Sequence, residues 1–485
     1  MSTNTNLQPG TMMQTRWIVP ALAALLLAAG CAPARPPVPA PPTTAYADDP
    51  FLDTLQHRTF DWFWETTNPA NGLVPDRWPT PSFSSVAAVG FGLTAYGVGA
   101  ERGYVTRQEA AGRVLTTLRF FANAPMGEAP AGVTGHRGFF YHFLDMQTGH
   151  RFRDVELSTI DTALLMAGVL FAREYFDGDD ARETEIRALA DTLYRRVEWD
   201  WAQPRPPLVT MGWYPDRGFH THDYRGYNEA MLLYVLALGS PTHPIDASVW
   251  DAYTSTYRWT EYYGQEHVNF SPLFGHQYSH VWIDFRGIRD AYMRARGIDY
   301  FENSRRATLA QRAYHVDNPG GWKGYGEDVW GLTACDGPLD TTFTVDGRAR
   351  RFHTYAARGA SAEYVLDDGT IAPTAAGGSV AFAPEIAVPA LKAMRARYGR
   401  TIFTRYGFLD AFNPTFTQPV RVQHGRVDPE LGWYDTDYLG IDQGPIVLMI
   451  ENLRSGLVWE TMRKSPYVVR GLQRAGFRGG WLGDE

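Results

Sequence analysis

The sequence predicts an all-α protein in which inner helices are ringed by outer helices, an α/α toroid. After residue 50, nearly every segment has apolar residues at helical spacing. Segments that are apolar on all sides alternate with amphipathic segments, which indicates a buried inner layer and a half-buried outer layer. An α-solenoid of helix pairs is the alternative, but it should show a repeating sequence period, and we find none.

The first 50 residues are expected to lie outside this fold. Residues 1–31 contain Arg16, the apolar run Trp17–Ala29 and Gly30-Cys31, a pattern that resembles a bacterial lipoprotein signal. We therefore expect lipidation of Cys31 and export to the periplasm or outer membrane of a Gram-negative bacterium. An ordinary cleaved signal peptide is the alternative. Residues 32–50 form a Pro-rich linker.

Residues 51–485 are expected to form one domain of about twelve helices. Long aromatic loops and a small β-hairpin insertion within residues 336–384 interrupt the helical pattern. Helices are predicted over residues 51–66, 84–99, 106–122, 156–175, 181–198, 228–238, 247–262, 280–296, 301–315, 326–334, 384–398 and 436–453.

Composition narrows the class of function. The chain of 485 residues has 45 basic and 53 acidic residues, a net charge of −8 and no long basic block, so nucleic acid is not expected as a partner. Aromatic residues are abundant, with 15 Trp, 26 Tyr and 26 Phe. Packing accounts for most of them, but an aromatic-lined cleft that stacks on sugar rings is equally compatible. Two cysteines imply no disulfide framework, and we expect a monomer.

Three acidic residues stand at the start of apolar helices: Asp161, Glu229 and Asp442. In a toroid the inner helices run in the same direction, so these carboxylates should gather around one mouth. Two carboxylates across a cleft are what glycoside hydrolysis requires. Capping or complementing the helix dipole is the structural alternative for each of them. The dipole also favours ionisation, so desolvation or a neighbouring carboxylate must outweigh it if Glu229 is to be a general acid.

Other residues are weaker candidates. Asp154 and Glu156 form either a solvated turn or a wall of the substrate site, and His222 lies in the loop before Glu229. His276 and His280 have a metal-ligand spacing, but the acidic residue of the peptidase motif is missing, so no metal or other cofactor is expected. The glycine-rich segment around Trp322 and Tyr325 fits no phosphate loop and suits a flat platform for a sugar.

Several motifs together resemble the glycoamylase-like domain, and within it glycoside hydrolase family 144, which comprises bacterial β-1,2-glucanases. The resemblance covers the chain from Phe51 to about Trp481. The motifs are Phe60-Asp-Trp-Phe-Trp-Glu65, Gly72-Leu-Val-Pro-Asp76, Gly138-Phe-Phe-Tyr-His142, Glu156-Leu-Ser-Thr-Ile-Asp161, Gly226-Tyr-Asn-Glu229, Gly324-Tyr-Gly326 and Gly440-Ile-Asp-Gln-Gly-Pro445.

This resemblance implies an (α/α)6 barrel that cleaves β-1,2-glucosidic bonds with inversion. It implies that Glu229 is the general acid, that Asp442 stands on the base side, and that Asp161, Glu156 and Tyr227 belong to the substrate site. We therefore expect an exported, endo-acting β-1,2-glucan hydrolase. The alternatives are a hydrolase or transglycosylase on another β-glucan or a cyclic glucan, and a sugar-binding lipoprotein without catalysis.

Overall fold

A computed structural model describes residues 45–483. The predicted signal segment and Cys31 therefore lie outside the described residues, whose regular structure is mainly helical. The helices are α1 (Pro50–Thr66), α2 (Val86–Glu101), α3 (Arg107–Asn123), α4 (Thr159–Tyr175), α5 (Ala181–Arg195), α6 (Met231–Gly239), α7 (Val249–Thr254), α8 (Phe274–Trp282), α9 (Ala291–Arg296), α10 (Tyr300–Asp317), α11 (Pro373–Gly377), α12 (Pro384–Tyr398), α13 (Gly440–Arg454), α14 (Leu457–Met462) and α15 (Pro466–Arg474).

Twenty-two short strands lie in the segments that connect these helices. They are β1 (Arg77–Trp78), β2 (Ser84–Ser85), β3 (Gly135–His136), β4 (Phe139–Tyr141), β5 (Phe143–Leu144), β6 (Leu157–Ser158), β7 (Gly212–Tyr214), β8 (Gly218–Phe219), β9 (Trp259–Tyr262), β10 (Gln265–Val268), β11 (Ala334–Cys335), β12 (Thr341–Val345), β13 (Arg348–Phe352), β14 (Ala356–Ala357), β15 (Gly359–Ala360), β16 (Val365–Leu366), β17 (Phe403–Thr404), β18 (Gly407–Phe408), β19 (Phe412–Asn413), β20 (Arg426–Asp428), β21 (Gly432–Tyr434) and β22 (Tyr438–Leu439).

Six helices, α2, α4, α6, α8, α11 and α13, are buried along nearly their whole length. Neighbours in this set pack together: α2 lies against α4 and α13, α6 against α4 and α8, and α11 against α13. The side-chain amide of Gln277 in α8 donates to the carbonyl of Ala375 in α11 (2.9 Å). The apolar helices of the sequence are therefore the inner helices of the fold.

The amphipathic helices cover this buried set. α1 packs on α2 and α13, α3 on α2 and α5, α5 on α4, α10 on α8, α12 on α11, and α15 on α6. The capping box predicted at the start of α3 is present, with Thr106 and Glu109 each bonding the other's backbone N–H. Among residues 45–483, no helix has the length and apolarity needed to cross a membrane.

Two glycines allow α2 and α4 to approach at backbone distance. A Cβ added at Gly90 would lie 2.2 Å from the carbonyl oxygen of Leu164, and one added at Gly168 would lie 2.1 Å from the carbonyl oxygen of Gly90. Both distances are far below van der Waals contact. The small residues of these inner helices are therefore required by the packing of backbone against backbone.

The structure differs from the predicted elements in several places. The helix predicted over 280–296 is interrupted, because α8 ends at Trp282 and α9 begins at Ala291. The helices α11, α14 and α15 lie where no helix was predicted. The helix predicted over 326–334 is absent, because Gly331 has a φ of +146° that no helix accommodates. Residues 247–262 contain the short α7 followed by β9, which pairs with β10. The segments 127–153 and 203–225, predicted as loops, contribute β3, β4, β7 and β8 to a five-stranded sheet with β6. The hairpin predicted within 336–384 is formed by β12 and β13.

Candidate active site

A cavity of about 500 Å³ opens where the first turns of several inner helices meet. It is lined by residues at or next to the N-termini of α2, α4, α6, α8 and α13. This is the arrangement expected for inner helices that run in one direction. Four carboxylates reach the cavity wall, together with one arginine and two histidines: Asp76, Glu156, Asp161, Glu229, Arg77, His142 and His220.

Glu229 lies in the turn two residues before α6 begins at Met231. Its carbonyl oxygen accepts a hydrogen bond from Ser279 Oγ of α8 (2.9 Å), which fixes the turn against a neighbouring inner helix. Burial raises the pKa of the Glu229 carboxyl to about 7. The backbone N–H of Glu229 opposes this shift, and the negative charge of Asp161 adds to it. Desolvation therefore outweighs the helix terminus, and Glu229 is substantially protonated at neutral pH.

Asp161 occupies the first turn of α4 and is 6% exposed. Its backbone N–H donates to Ser158 Oγ (3.2 Å), and the Ser158 hydroxyl donates to the Asp161 carboxylate. Ser158 is therefore the N-cap of α4, and its hydroxyl also holds the Asp161 carboxylate at the cavity wall. Burial raises the pKa of Asp161, although His142 and Ser158 oppose the shift.

His142 joins two of the predicted acids. Its Nδ1 lies 2.7 Å from Glu156 Oε1, and its Nε2 lies 3.5 Å from Asp161 Oδ1. Burial opposes the charged imidazolium, but Asp161 and Glu156 outweigh it and raise the pKa of His142 to about 9. The imidazolium in turn lowers the pKa of Glu156 despite the burial of that carboxyl. A positive charge therefore lies between two carboxylates on one side of the cavity.

The segment 75–78 brings a further acid and an arginine to the cavity wall. β1 pairs with β22, with Arg77 opposite Leu439, and the N–H of Gly440 donates to the carbonyl of Asp76 (2.8 Å). This pairing holds Asp76 and Arg77 beside the start of α13. Burial raises the pKa of Asp76 to about 6, and Arg77 opposes the shift.

Asp442 is the third residue of α13 and is 3% exposed. It does not line the cavity, whereas its neighbour Ile441 does. The carbonyl oxygen of Asp442 accepts from Thr374 Oγ1 of α11 (2.9 Å), and Tyr278 OH of α8 donates to the carbonyl of Ile441 (3.1 Å). Burial raises the pKa of Asp442. Two of the three predicted helix-start acids thus face the cavity, and the third lies directly behind its wall.

Aromatic side chains form much of the remaining wall. They extend from the loop that precedes α2 to the hairpin of β7 and β8 and to α8, so they surround the acids on several sides. Flat apolar faces beside a few polar groups are suited to binding sugar rings. The aromatic residues are Phe83, Phe143, Tyr214, Tyr224, Phe274, Tyr278 and Tyr355.

The structure does not support two of the predicted substrate contacts. Tyr227, 5% exposed, packs against His276 and Tyr300, and its hydroxyl lies 3.3 Å from Ser304 Oγ. Trp322, 8% exposed, has the Arg350 guanidinium 4.1 Å from its ring centroid. Neither side chain reaches the cavity wall, because each ring is packed within a hydrophobic cluster of the core.

Three other predicted residues also lie off the cavity wall. Tyr325 donates to Asp367 Oδ1 (2.6 Å), while His222 and Asp154 are exposed to solvent. His220, two residues before His222, lines the cavity instead.

Four ionisable residues of the wall were not predicted as site residues: Asp76, Arg77, His142 and His220. Asp76 and His142 stand at the ends of two motifs that the family resemblance rests on, Gly72-Leu-Val-Pro-Asp76 and Gly138-Phe-Phe-Tyr-His142. Those motifs are therefore the signal that could have found them. Neither motif lies at the start of an apolar helix, which is the feature by which Asp161, Glu229 and Asp442 were chosen.

The histidine pair of α8 belongs to the protein core. His276 and His280 are fully buried, and burial lowers both pKa values, that of His280 to about 3. His276 Nε2 lies 3.2 Å from the carbonyl of Phe270, and His280 Nε2 lies 3.1 Å from Ser304 Oγ. Each imidazole therefore has a polar contact with a residue outside α8.

A family model for glycoamylase, described as "Putative glucoamylase", matches residues 221–466. A curated relative, the exo β-1,2-glucooligosaccharide sophorohydrolase (non-reducing end) of Parabacteroides distasonis, is 30% identical over 466 residues. The match covers 89% of this chain and 58% of the relative, so the chain spans little more than half of that protein's length.

Two solved structures are similar to the chain over almost their whole length. A structure described as a "putative glucoamylase" from Bacteroides uniformis has a TM-score of 0.76 and 32% identity, and the match covers 90% of this chain and 99% of that one. The endo-β-1,2-glucanase from Chitinophaga pinensis, in complex with sophorotriose and glucose, has a TM-score of 0.75 and 30% identity, with the same coverage of 90% and 99%.

Proposed function

Given that the chain belongs to the glycoamylase-like family, we propose that it is a glycoside hydrolase acting on β-1,2-glucan or its oligosaccharides. The observation that carries the proposal is Glu229, a buried carboxyl with a pKa of about 7 in the wall of an aromatic cavity. A carboxyl that is half protonated near neutral pH can give its proton to a glycosidic oxygen. The β-1,2 linkage is supported by two relatives of 30% identity, whose names specify β-1,2-glucan or its oligosaccharides as substrate.

In the proposed mechanism Glu229 protonates the leaving oxygen, and Asp442 stands on the base side, where a water molecule attacks the sugar from the opposite face. Inverting enzymes need two carboxyl groups roughly 6.5–9.5 Å apart to leave room for that water. Asp161 has a different role, because its negative charge helps to keep Glu229 protonated. The His142 imidazolium and Arg77 are donors to sugar hydroxyl groups at the cavity wall.

We propose endo action within the polymer. The proposal is supported by the similarity to the endo-β-1,2-glucanase from Chitinophaga pinensis, whose structure matches this chain with a TM-score of 0.75 and 30% identity.

We also propose an (α/α)6 barrel of six inner and six outer helices as the architecture of residues 51–485. Support comes from the contacts of α2, α4, α6, α8, α11 and α13 with their neighbours, and from α1, α3, α5, α10, α12 and α15 packed outside them. Export and lipidation at Cys31 are proposed from the pattern of residues 16–31 alone. Radiolabelled palmitate incorporation that is lost in Cys31→Ala tests the lipidation.

The substitution Glu229→Gln tests the proposed general acid. It keeps the size of the side chain but removes the proton that is transferred, so the rate on β-1,2-glucan should fall by about 10²–10⁴-fold. Reducing-sugar release should be measured on β-1,2-, β-1,3-, β-1,4- and α-1,4-glucans. The matched control is Glu327→Gln, because the side chain of Glu327 is 72% exposed and lies outside the cavity wall.

Near-full activity of the Glu229→Gln enzyme would refute the assignment of the acid. Hydrolysis of another glucan in preference to the β-1,2-linked one would refute the substrate. Binding of β-1,2-glucan without hydrolysis by the unmodified protein would favour a non-catalytic sugar-binding protein.

The substitution Asp442→Asn tests the base side. We expect a loss of about 10²–10⁴-fold in kcat, because an amide cannot take up the proton that the attacking water releases. Asp76→Asn is the matched comparison, since Asp76 lines the cavity whereas Asp442 lies behind its wall. A much larger loss in Asp76→Asn than in Asp442→Asn would transfer the base role to Asp76.

A further inference from the structure

A second group of acids lies behind the cavity, on three separate connecting segments. Asp336 follows β11, Asp410 lies between β18 and β19, and Asp435 follows β21. All three are at most 1% exposed. One carboxylate oxygen from each lies within 4.8 Å of those of the other two. Three buried carboxylates at this separation repel one another unless a proton or a positive ion lies between them.

Each of these carboxylates has one oxygen satisfied and one oxygen without a partner. Asp336 Oδ2 accepts from Arg77 Nη1 (2.6 Å), and Asp410 Oδ2 accepts from the N–H of Asp336 (2.7 Å). Asp435 Oδ1 accepts from the N–H groups of Thr436 (2.6 Å) and Asp437 (3.2 Å). The remaining oxygens, Asp336 Oδ1, Asp410 Oδ1 and Asp435 Oδ2, are buried and accept no hydrogen bond from an N–H or hydroxyl donor of residues 45–483.

A buried carboxylate oxygen without a donor is costly, so three of them together point to a ligand. The satisfied oxygens hold each carboxyl in place, as second-shell bonds do for metal ligands. The positive charge of Arg77 does not neutralise the three carboxylates. Arg77 contacts Asp336, but it also lies 3.6 Å from Asp76 and 3.6 Å from Asp437. The site therefore has fixed oxygen donors and an excess of negative charge.

We propose that Asp336, Asp410 and Asp435 bind a divalent cation, and that this cation is Ca²⁺. A set made only of carboxylate oxygens suits a hard cation and not zinc or copper, which prefer nitrogen and sulfur. Ca²⁺ accepts several carboxylates at roughly 2.3–2.6 Å in flexible geometry, whereas Mg²⁺ keeps most of its water and demands a near-octahedral site. Oxygens up to 4.8 Å apart fit around an ion of this radius.

The position of the site gives the cation a structural role next to the proposed base. It would tie together the segments that follow β11, precede β19 and follow β21, and the Asp410 carboxyl lies within hydrogen-bonding reach of that of Asp442. The ion would thus fix these connecting segments behind the cavity wall without touching the substrate. The cation site does not depend on the proposed function, since its ligands are outside the cavity wall.

Metal analysis and thermal unfolding of the purified protein test the site. After EDTA treatment and removal of the chelator, CaCl₂ should bind at one ion per chain by isothermal titration calorimetry. At saturating CaCl₂ the Tm should rise by at least about 3 °C, because the ion binds the folded state. MgCl₂ should give a clearly smaller shift. Absence of calcium binding together with an unchanged Tm would overturn the proposal, and an equal shift with MgCl₂ would overturn the choice of Ca²⁺.

The variant Asp435→Asn removes one ligand while keeping the shape of the side chain. We expect calcium affinity to fall at least about tenfold and the calcium-dependent rise in Tm to shrink accordingly. The matched control is Asp284→Asn, a buried aspartate that pairs with Arg286 and Arg463 away from this site. It should lower the Tm but keep the calcium-dependent rise.

A full calcium response in Asp435→Asn would overturn the assignment of ligands. If that variant does not fold, Asp410→Asn and the calcium stoichiometry of the unmodified protein still decide the question. These readouts do not use catalytic activity, so a failure of the proposed function leaves them unaffected.

Discussion

The charge state of Glu229 is set by its surroundings and not by its position in the chain. A helix N-terminus favours an ionised carboxylate, yet burial raises the pKa of Glu229 to about 7 and Asp161 pushes it in the same direction. The general acid of an inverting hydrolase must be protonated, so this environment is the one that the proposed role requires.

The pH dependence of the reaction should follow Glu229. Because the acid acts in its protonated form, kcat/KM should fall about tenfold for each pH unit well above a pKa of about 7. Initial rates on β-1,2-glucan check this between pH 5 and pH 10, a range that extends roughly two to three pH units on either side of that pKa. A rate that falls only near pH 9 would instead implicate His142, whose pKa is raised to about 9.

At the scale of elements, the cavity exists because helix N-termini converge. Asp161 and Glu229 lie on α4 and at the start of α6, and these helices pack against each other. The close approach of α2 and α4 through Gly90 and Gly168 keeps this part of the inner layer together. Packing of inner helices therefore sets the distance between groups that are far apart in the chain.

The substitution Gly168→Ala tests the close approach of α2 and α4. Its methyl group would lie 2.1 Å from the backbone oxygen of Gly90, so the helices must separate, and the free energy of unfolding should fall by about 3 kcal/mol or more. Chemical denaturation measures this. The control is Gly112→Ala in α3, where the methyl group meets nothing within 4 Å, and it should increase stability by about 0.5–1 kcal/mol. Equal stabilisation of both variants would contradict the packing argument.

Element prediction succeeded for most of the long helices and failed for the short strands, whereas the helices predicted over 247–262 and 280–296 are each broken. The helices α1, α2, α3, α4 and α12 agree closely with their predicted ranges, because each has several turns of periodic residues. Most of the strands have two or three residues, too few for an alternating pattern to be recognised. Four strands of the five-stranded sheet that carries Tyr214 were therefore predicted as loops, and the fifth, β6, was predicted as the start of a helix.

At the scale of the whole molecule, the mode of action on the polymer can be tested directly. An endo-acting enzyme should release β-1,2-linked products of many chain lengths from a long glucan in the first few per cent of the reaction. Size-resolved chromatography of early products, together with solution viscosity, measures this. Release of disaccharide alone, with little change in viscosity, would indicate the exo action of the Parabacteroides relative.

The sequence by itself determined the helical class, the buried or amphipathic character of most of the long helices, and the presence of acids at the starts of apolar helices. Hydrophobic periodicity and capping are local properties, which a single chain displays without its neighbours. The tertiary structure decided which of these acids meet. It placed Asp161 and Glu229 in one cavity wall, put Asp442 behind that wall, and added Asp76 and His142. These outcomes depend on desolvation and on contacts between distant segments, which no local pattern records.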